Sequence, residues 1–170
     1  MGKVLHGNKK IANATPTKVG KLQFKSKTEA VVYRTLRENG FKPKYESETF
    51  VIWEGYYPRE ICYIRGSGGK LVLSKDKIRN ITYTPDFIFR YKGYKIILEV
   101  KGFETDTFKN KFKMFRKMMD KKKNVLIFEV FTKRMVMQMI SLLDELEDKS
   151  RRRLSPIRLK LKNKITDNND

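Results

Sequence analysis

Two runs of strand-forming residues, Ile81 to Tyr91 and Tyr94 to Lys101, meet at Lys92-Gly93, and this arrangement constrains the fold more than any other stretch of the chain. A two-residue connection whose glycine supplies a positive φ joins antiparallel neighbours, so the runs form a hairpin at the centre of a sheet. The short loop also sets the register: with Tyr91 opposite Tyr94, counting outward along the ladder brings Asp86 opposite Glu99. Residues two apart on a strand point to the same side, so Glu99 and Lys101 share one face while Leu98 and Val100 point to the other. Directly opposed side chains have Cβ atoms roughly 4.5–5.5 Å apart, where two carboxylates destabilise a sheet unless a cation lies between them.

The residue inventory restricts that cation. His6 is the only histidine and Cys62, read as a strand or packing residue, the only cysteine, which excludes a zinc finger, a disulfide framework and a Cys/His dyad within one chain. The ligands must be oxygens. Mg2+, with Mn2+ as a substitute, suits one or two carboxylates beside a substrate phosphate. Such an ion activates water and neutralises charge on phosphoryl oxygens, and the Lys101 ammonium would stabilise the same developing charge.

Ser26 to Asn39 reads as a helix with Ser26 as N-cap, Gly40 as stop and Val32, Tyr33 and Leu36 as the inward stripe. Glu29 lies on that stripe, where a carboxylate needs a reason. It has two readings: a participant in the acidic site, or the far end of a capping box in which it bonds back to the Ser26 amide.

Further along, Lys44 to Arg65 and Lys70 to Ser74 read as several strands around the Gly66-Ser67-Gly68-Gly69 turn. A helix is expected from Thr105 or Asp106 to Asp120, with Phe108, Phe112, Phe115 and Met119 inward and Lys109, Lys113, Arg116 and Lys117 outward. Val125 to Phe131 has the pattern of a covered strand and Lys133 to Asp148 that of a last amphipathic helix. The resulting division is a basic flexible arm over 1–25, one domain over 26–148 and a basic tail over 149–170 containing Arg151-Arg152-Arg153. The element order places the chain in the α/β or α+β class.

With 39 Lys and Arg against 19 Asp and Glu, the formal charge is +20, and self-repulsion of that size points to a polyanionic partner. Lys25, Lys27 and the outward cations of the 106–120 helix are the expected phosphate contacts. Trp53, Tyr56 and Tyr57 read as packing residues, ahead of stacking on an unpaired base. The chain contains no run of 18 apolar residues, no secretory leader pattern and no lipidation motif, so a cytoplasmic protein is expected, in the host cell if phage-encoded.

Thr84-Pro85-Asp86, twelve intervening residues, then Glu99-Val100-Lys101 resembles the signature of the PD-(D/E)XK nuclease superfamily. Within it, Tyr83 to Phe87 and Glu99 to Gly102 followed by Thr105 to Phe115 are similar to small phage-borne proteins assigned as endonucleases. The Glu29 helix with Asn39-Gly40-Phe41 resembles Holliday-junction resolvases. The resemblance spans about Lys25 to Val130; the stretch Lys44 to Asn80 is longer than the minimal pattern.

The resemblance implies a restriction-endonuclease-like core, a central mixed sheet flanked by helices. It also implies phosphodiester hydrolysis leaving a 5′-phosphate. Asp86, Glu99 and the Val100 carbonyl would be metal ligands, Lys101 the catalytic lysine, and Glu29 a further catalytic acid and metal ligand. The expectation is a magnesium-dependent DNA endonuclease acting on duplex or branched DNA, resolvase-like, in phage recombination or genome processing. A homodimer is expected if both strands of a junction are cut. The alternative class is a non-catalytic basic nucleic-acid-binding protein.

Overall fold

A computed structural model describes residues 15–146. In chain order the strands and helices are β1 (Thr17–Val19), β2 (Leu22–Phe24), α1 (Lys27–Glu38), β3 (Lys44–Tyr45), β4 (Phe50–Trp53), β5 (Tyr63–Arg65), β6 (Leu71–Leu73), β7 (Ile81–Tyr83), β8 (Phe87–Tyr91), β9 (Tyr94–Val100), α2 (Asp106–Asp120), β10 (Val125–Val130) and α3 (Lys133–Asp144). The fold is α+β, with a mixed four-stranded sheet in the order β10-β9-β8-β3. No helix among the described residues is long and apolar enough to cross a membrane.

The β8–β9 hairpin closes at Lys92-Gly93, with φ of 45° and 81°, so the lysine as well as the glycine is left-handed. Both central residues of a type I′ turn require this, and the turn's twist matches that of the strands. Tyr91 pairs with Tyr94 and the ladder continues in step to Phe87 with Leu98. The expected single strand Ile81 to Tyr91 is broken at Thr84-Pro85-Asp86. Proline has no N–H to give a ladder, and the chain changes partners there: β7 pairs with β4, whereas β8 pairs with β9 and β3. β10 lies parallel to β9, which demands a crossover, and the α2 segment occupies that connection.

The described chain divides into two compact units. One unit takes the described residues up to Tyr45, Asp86–Gly102 and those from Asn124 onward. Its core joins α1 (Val32, Leu36) and α3 (Val136, Leu143) with the sheet residues Ile96 and Leu98. α1 begins where Ser26 accepts a hydrogen bond from the Glu29 amide and stops at Gly40, whose φ is 82°.

The flexible arm expected over 1–25 is cut short by the β1–β2 hairpin, while residues 1–14 and the tail over 149–170 lie outside the described residues. Phe24 anchors that hairpin. Its ring is fully buried, 5.1 Å from Tyr33 and 4.7 Å from Tyr45 between centroids. Strands of three residues are too short to show a period, and one aromatic anchor supplies the burial that patterning would otherwise reveal.

The second unit comprises Glu46–Pro85 and Phe103–Lys123. α2 packs there on the two-stranded β4–β7 sheet through Phe115, which meets Phe50 at 5.2 Å and Tyr83 at 4.4 Å. Only Phe115 and Met119 of the expected four-residue stripe are buried. A fifteen-residue helix is about 22 Å long, more than two strands can cover, so Phe108 and Phe112 stay half-exposed and stack on one another at 5.3 Å. Cys62 is exposed rather than packed.

If Phe24 ties the hairpin to the core, Phe24→Ala should lower unfolding free energy by about 3–5 kcal/mol. Urea denaturation checks this; a loss below about 1 kcal/mol would detach the hairpin from the core.

Candidate functional site

Asp86 stands one residue before β8, a single step beyond the last ladder pair, so continuing the register sets it against Glu99. Its Oδ2 accepts a hydrogen bond from the Val100 amide at 2.7 Å. Asp86 and Glu99 are both buried. Lys101 follows the end of β9, and its Nζ lies 2.5 Å from Glu99 Oε1, as expected of residues two apart on one face. The Lys101 amide donates to the Val130 carbonyl at 2.9 Å, which holds the start of the following loop against β10.

The Asp86 carboxyl is pushed up from 3.8 to about 8. Burial is the largest cause, since it penalises the charged form, and the negative charge of Glu99 comes next. The Val100 amide and Lys101 oppose the shift, while Glu29 adds to it. Glu29, Glu99 and Lys101 therefore all act electrostatically on Asp86, and the four residues singled out from the sequence belong to one unit.

Glu29 is buried and firmly held. Its Oε2 accepts from the Tyr45 hydroxyl at 2.6 Å and the Lys25 amide at 3.1 Å, and its Oε1 from the Ser26 hydroxyl at 2.8 Å. The capping box thus closes on the Lys25 amide and the Ser26 hydroxyl instead of the Ser26 amide. Among the described residues no three or more acidic, histidine or cysteine side chains converge closely enough to hold a metal ion. In this arrangement the Glu29 carboxylate does not converge with those of Asp86 and Glu99.

Asp86 and Glu99 with the Val100 carbonyl form an all-oxygen donor set, and Mg2+ needs only one or two carboxylates. Asp86 Oδ1 accepts no hydrogen bond from the described residues, so a ligand position remains on a buried acid whose neutral form is otherwise favoured. The residues fit such an ion.

Two residues of this cluster were missed by sequence reasoning. Tyr45 has no signal in spacing, because β3 is two residues long and its partnership with Glu29 spans 16 positions. Glu129 had a faint one: it is the lone charged residue of β10, and the parallel ladder places it in register with Glu99.

Lys25 and Lys27 are exposed at the start of α1, and Lys109, Lys113, Arg116 and Lys117 are exposed on α2. The two groups belong to different units. Lys109 pairs with Glu104 at 3.9 Å, and the Arg116 guanidinium lies 6.0 Å from the centre of the Phe112 ring. Trp53 and Tyr56 meet edge to face at 5.6 Å with both rings partly exposed, and Tyr57 is exposed beside Lys77.

The raised Asp86 pKa has a consequence for stability. The unfolded chain releases this proton near pH 4 and the folded one near pH 8, so over that window the folded state binds more protons and the contribution is lost as pH rises. In chelator, Asp86→Asn should therefore melt increasingly above the wild type between pH 5 and pH 9. Calorimetry at several pH values checks it; a constant difference in Tm would contradict the burial of this charge.

No curated protein and no solved structure matches this chain. Residues 9–133 do match a family, described as Protein of unknown function (DUF1064). That match spans most of the chain, which belongs to the DUF1064 family.

Proposed function

We propose that this protein is a metal-dependent DNA endonuclease that hydrolyses phosphodiester bonds. The reading is carried by one observation: Asp86, one residue before β8, and Glu99 on the adjoining β9 are both buried, with the Lys101 ammonium on Glu99. Two buried acids set against each other are costly in a protein that has no use for a cation.

In this reading Asp86, Glu99 and the Val100 carbonyl hold Mg2+, or Mn2+ in its place. Bound there, the ion would supply Lewis-acid charge neutralisation at the scissile phosphate. The Val100 amide orients the Asp86 carboxylate, leaving Oδ1 for that duty. Glu99 steers Lys101, whose ammonium is suited to donate to phosphoryl oxygens as charge builds. Glu29, clamped by Tyr45, Lys25 and Ser26, adds negative field at Asp86 and so favours the cation over an empty site.

The +20 charge supports a polyanionic substrate, with Lys25, Lys27 and the exposed face of α2 as phosphate contacts. Selectivity for branched DNA, and a homodimer that cuts both strands of a junction, extend the reading by the resemblance to resolvases. The same charge favours the second reading, nucleic-acid binding without hydrolysis.

The deciding experiment is cleavage of linear duplex, flap, single-stranded and four-way DNA with magnesium, manganese or chelator. Metal-dependent cleavage is expected. Asp86→Asn, Glu99→Gln and Lys101→Ala should each slow it by about 100-fold or more while DNA binding in calcium persists. Binding without cleavage of any substrate in either metal would leave the non-catalytic reading.

A further inference from the structure

The β5–β6 hairpin contributes none of the candidate site's residues. Its three pairs are Tyr63 with Leu73, Ile64 with Val72 and Arg65 with Leu71, and every residue of both strands is exposed. Tyr63 and Leu71, at 60% and 73% exposure, lie on one face; Ile64 and Val72, each at 44%, lie on the other. A hairpin that packs on a neighbour hides one face. This ribbon is open on both, and a two-stranded ribbon is marginally stable without a partner.

Its tip is slim by construction. A Cβ at Gly66 would come within 2.6 Å of Val72 Cγ1, and Gly68 and Gly69 have φ of 68° and 78°. The Gly66 amide donates to the Lys70 carbonyl at 2.8 Å, closing the turn. Ser67 is thus the one side chain of the Gly66–Gly69 turn, and it sits between Arg65 and Lys70. Beyond the strands the exposed cations Arg59, Lys75, Lys77 and Arg79 continue the basic character, outnumbering Glu60 and Asp76.

We propose that the β5–β6 hairpin is a nucleic-acid-binding arm that enters a groove of duplex DNA, with Arg65 and Lys70 on the flanking phosphates and the apolar side chains against the groove. Strands lie about 4.8 Å apart and the major groove is about 12 Å wide, so a two-stranded ribbon with side chains fits between its walls. Groove walls contact both faces of a ribbon at once, which accounts for apolar residues on both. A tip almost bare of side chains permits close approach of its backbone. A second copy of this chain is the weaker occupant, because each copy would bring a formal charge of +20 to the contact.

The arm takes from the proposed function only its partner, DNA, and does not depend on hydrolysis. The test is duplex affinity of the full chain at several salt concentrations in calcium, comparing wild type with Arg65→Ala/Lys70→Ala and with Leu71→Ser; all three positions are exposed. The double variant should bind at least about tenfold more weakly, with a salt slope smaller by about 1.8, two phosphates' worth. Leu71→Ser should bind more weakly at unchanged slope. Unaltered affinity and slope in both variants would overturn the arm while leaving the nuclease reading intact. So would loss of a dimer on light scattering with DNA affinity per chain preserved. Weaker binding by both variants, in a protein that cleaves no substrate with magnesium or manganese, would uphold the arm and sink the nuclease.

Discussion

The antiparallel ladder between β8 and β9 is the constraint on which the site depends. Its register follows from the left-handed turn at Lys92-Gly93, and a slip of one residue would turn Glu99 toward the α1 and α3 core and Leu98 toward the ionic side. The ladder ends at Phe87 because Pro85 interrupts the strand. Asp86 is therefore free of a regular ladder position and directs its carboxylate to the Val100 amide. One turn and one proline place two acids together.

The electrostatics of the molecule are divided. A chain with a formal charge of +20 buries three acids, Glu29, Asp86 and Glu99, in one unit, with Lys101 paired to Glu99. A basic exterior favours polyanions, whereas buried acids disfavour phosphate unless a cation lies between. That contrast is the ground for the metal-assisted phosphate chemistry proposed above, since a structural ion pair would match charges instead of stacking like ones.

Tyr45 and Glu129 show how packing completes what spacing begins. Tyr45 lies on β3 beside Phe87, its ring 4.7 Å from Phe24 and 5.4 Å from Phe87, and its hydroxyl fixes Glu29. The β1–β2 hairpin, through Phe24, thus helps hold the tyrosine that holds the acid. The second unit is organised differently. Its narrow β4–β7 sheet covers only part of α2, and its β5–β6 ribbon rests on three cross-strand pairs.

The sequence by itself determined the elements whose signals are local. The Ser26 cap and Gly40 stop bounded α1, Thr105 or Asp106 marked the start of α2, and a two-residue loop dictated both the hairpin and the meeting of Asp86 with Glu99. Alternation alone put Lys101 beside Glu99. Only the tertiary structure decided the break at Pro85, because proline is compatible with a strand start as well as an interruption and the choice rests on which strands are available to pair. Tertiary contacts likewise brought Tyr45 to Glu29, folded Thr17–Phe24 onto the core and left Phe108 uncovered. Turns and caps are written within a few residues, whereas burial depends on surfaces contributed from distant parts of the chain, which no local pattern encodes.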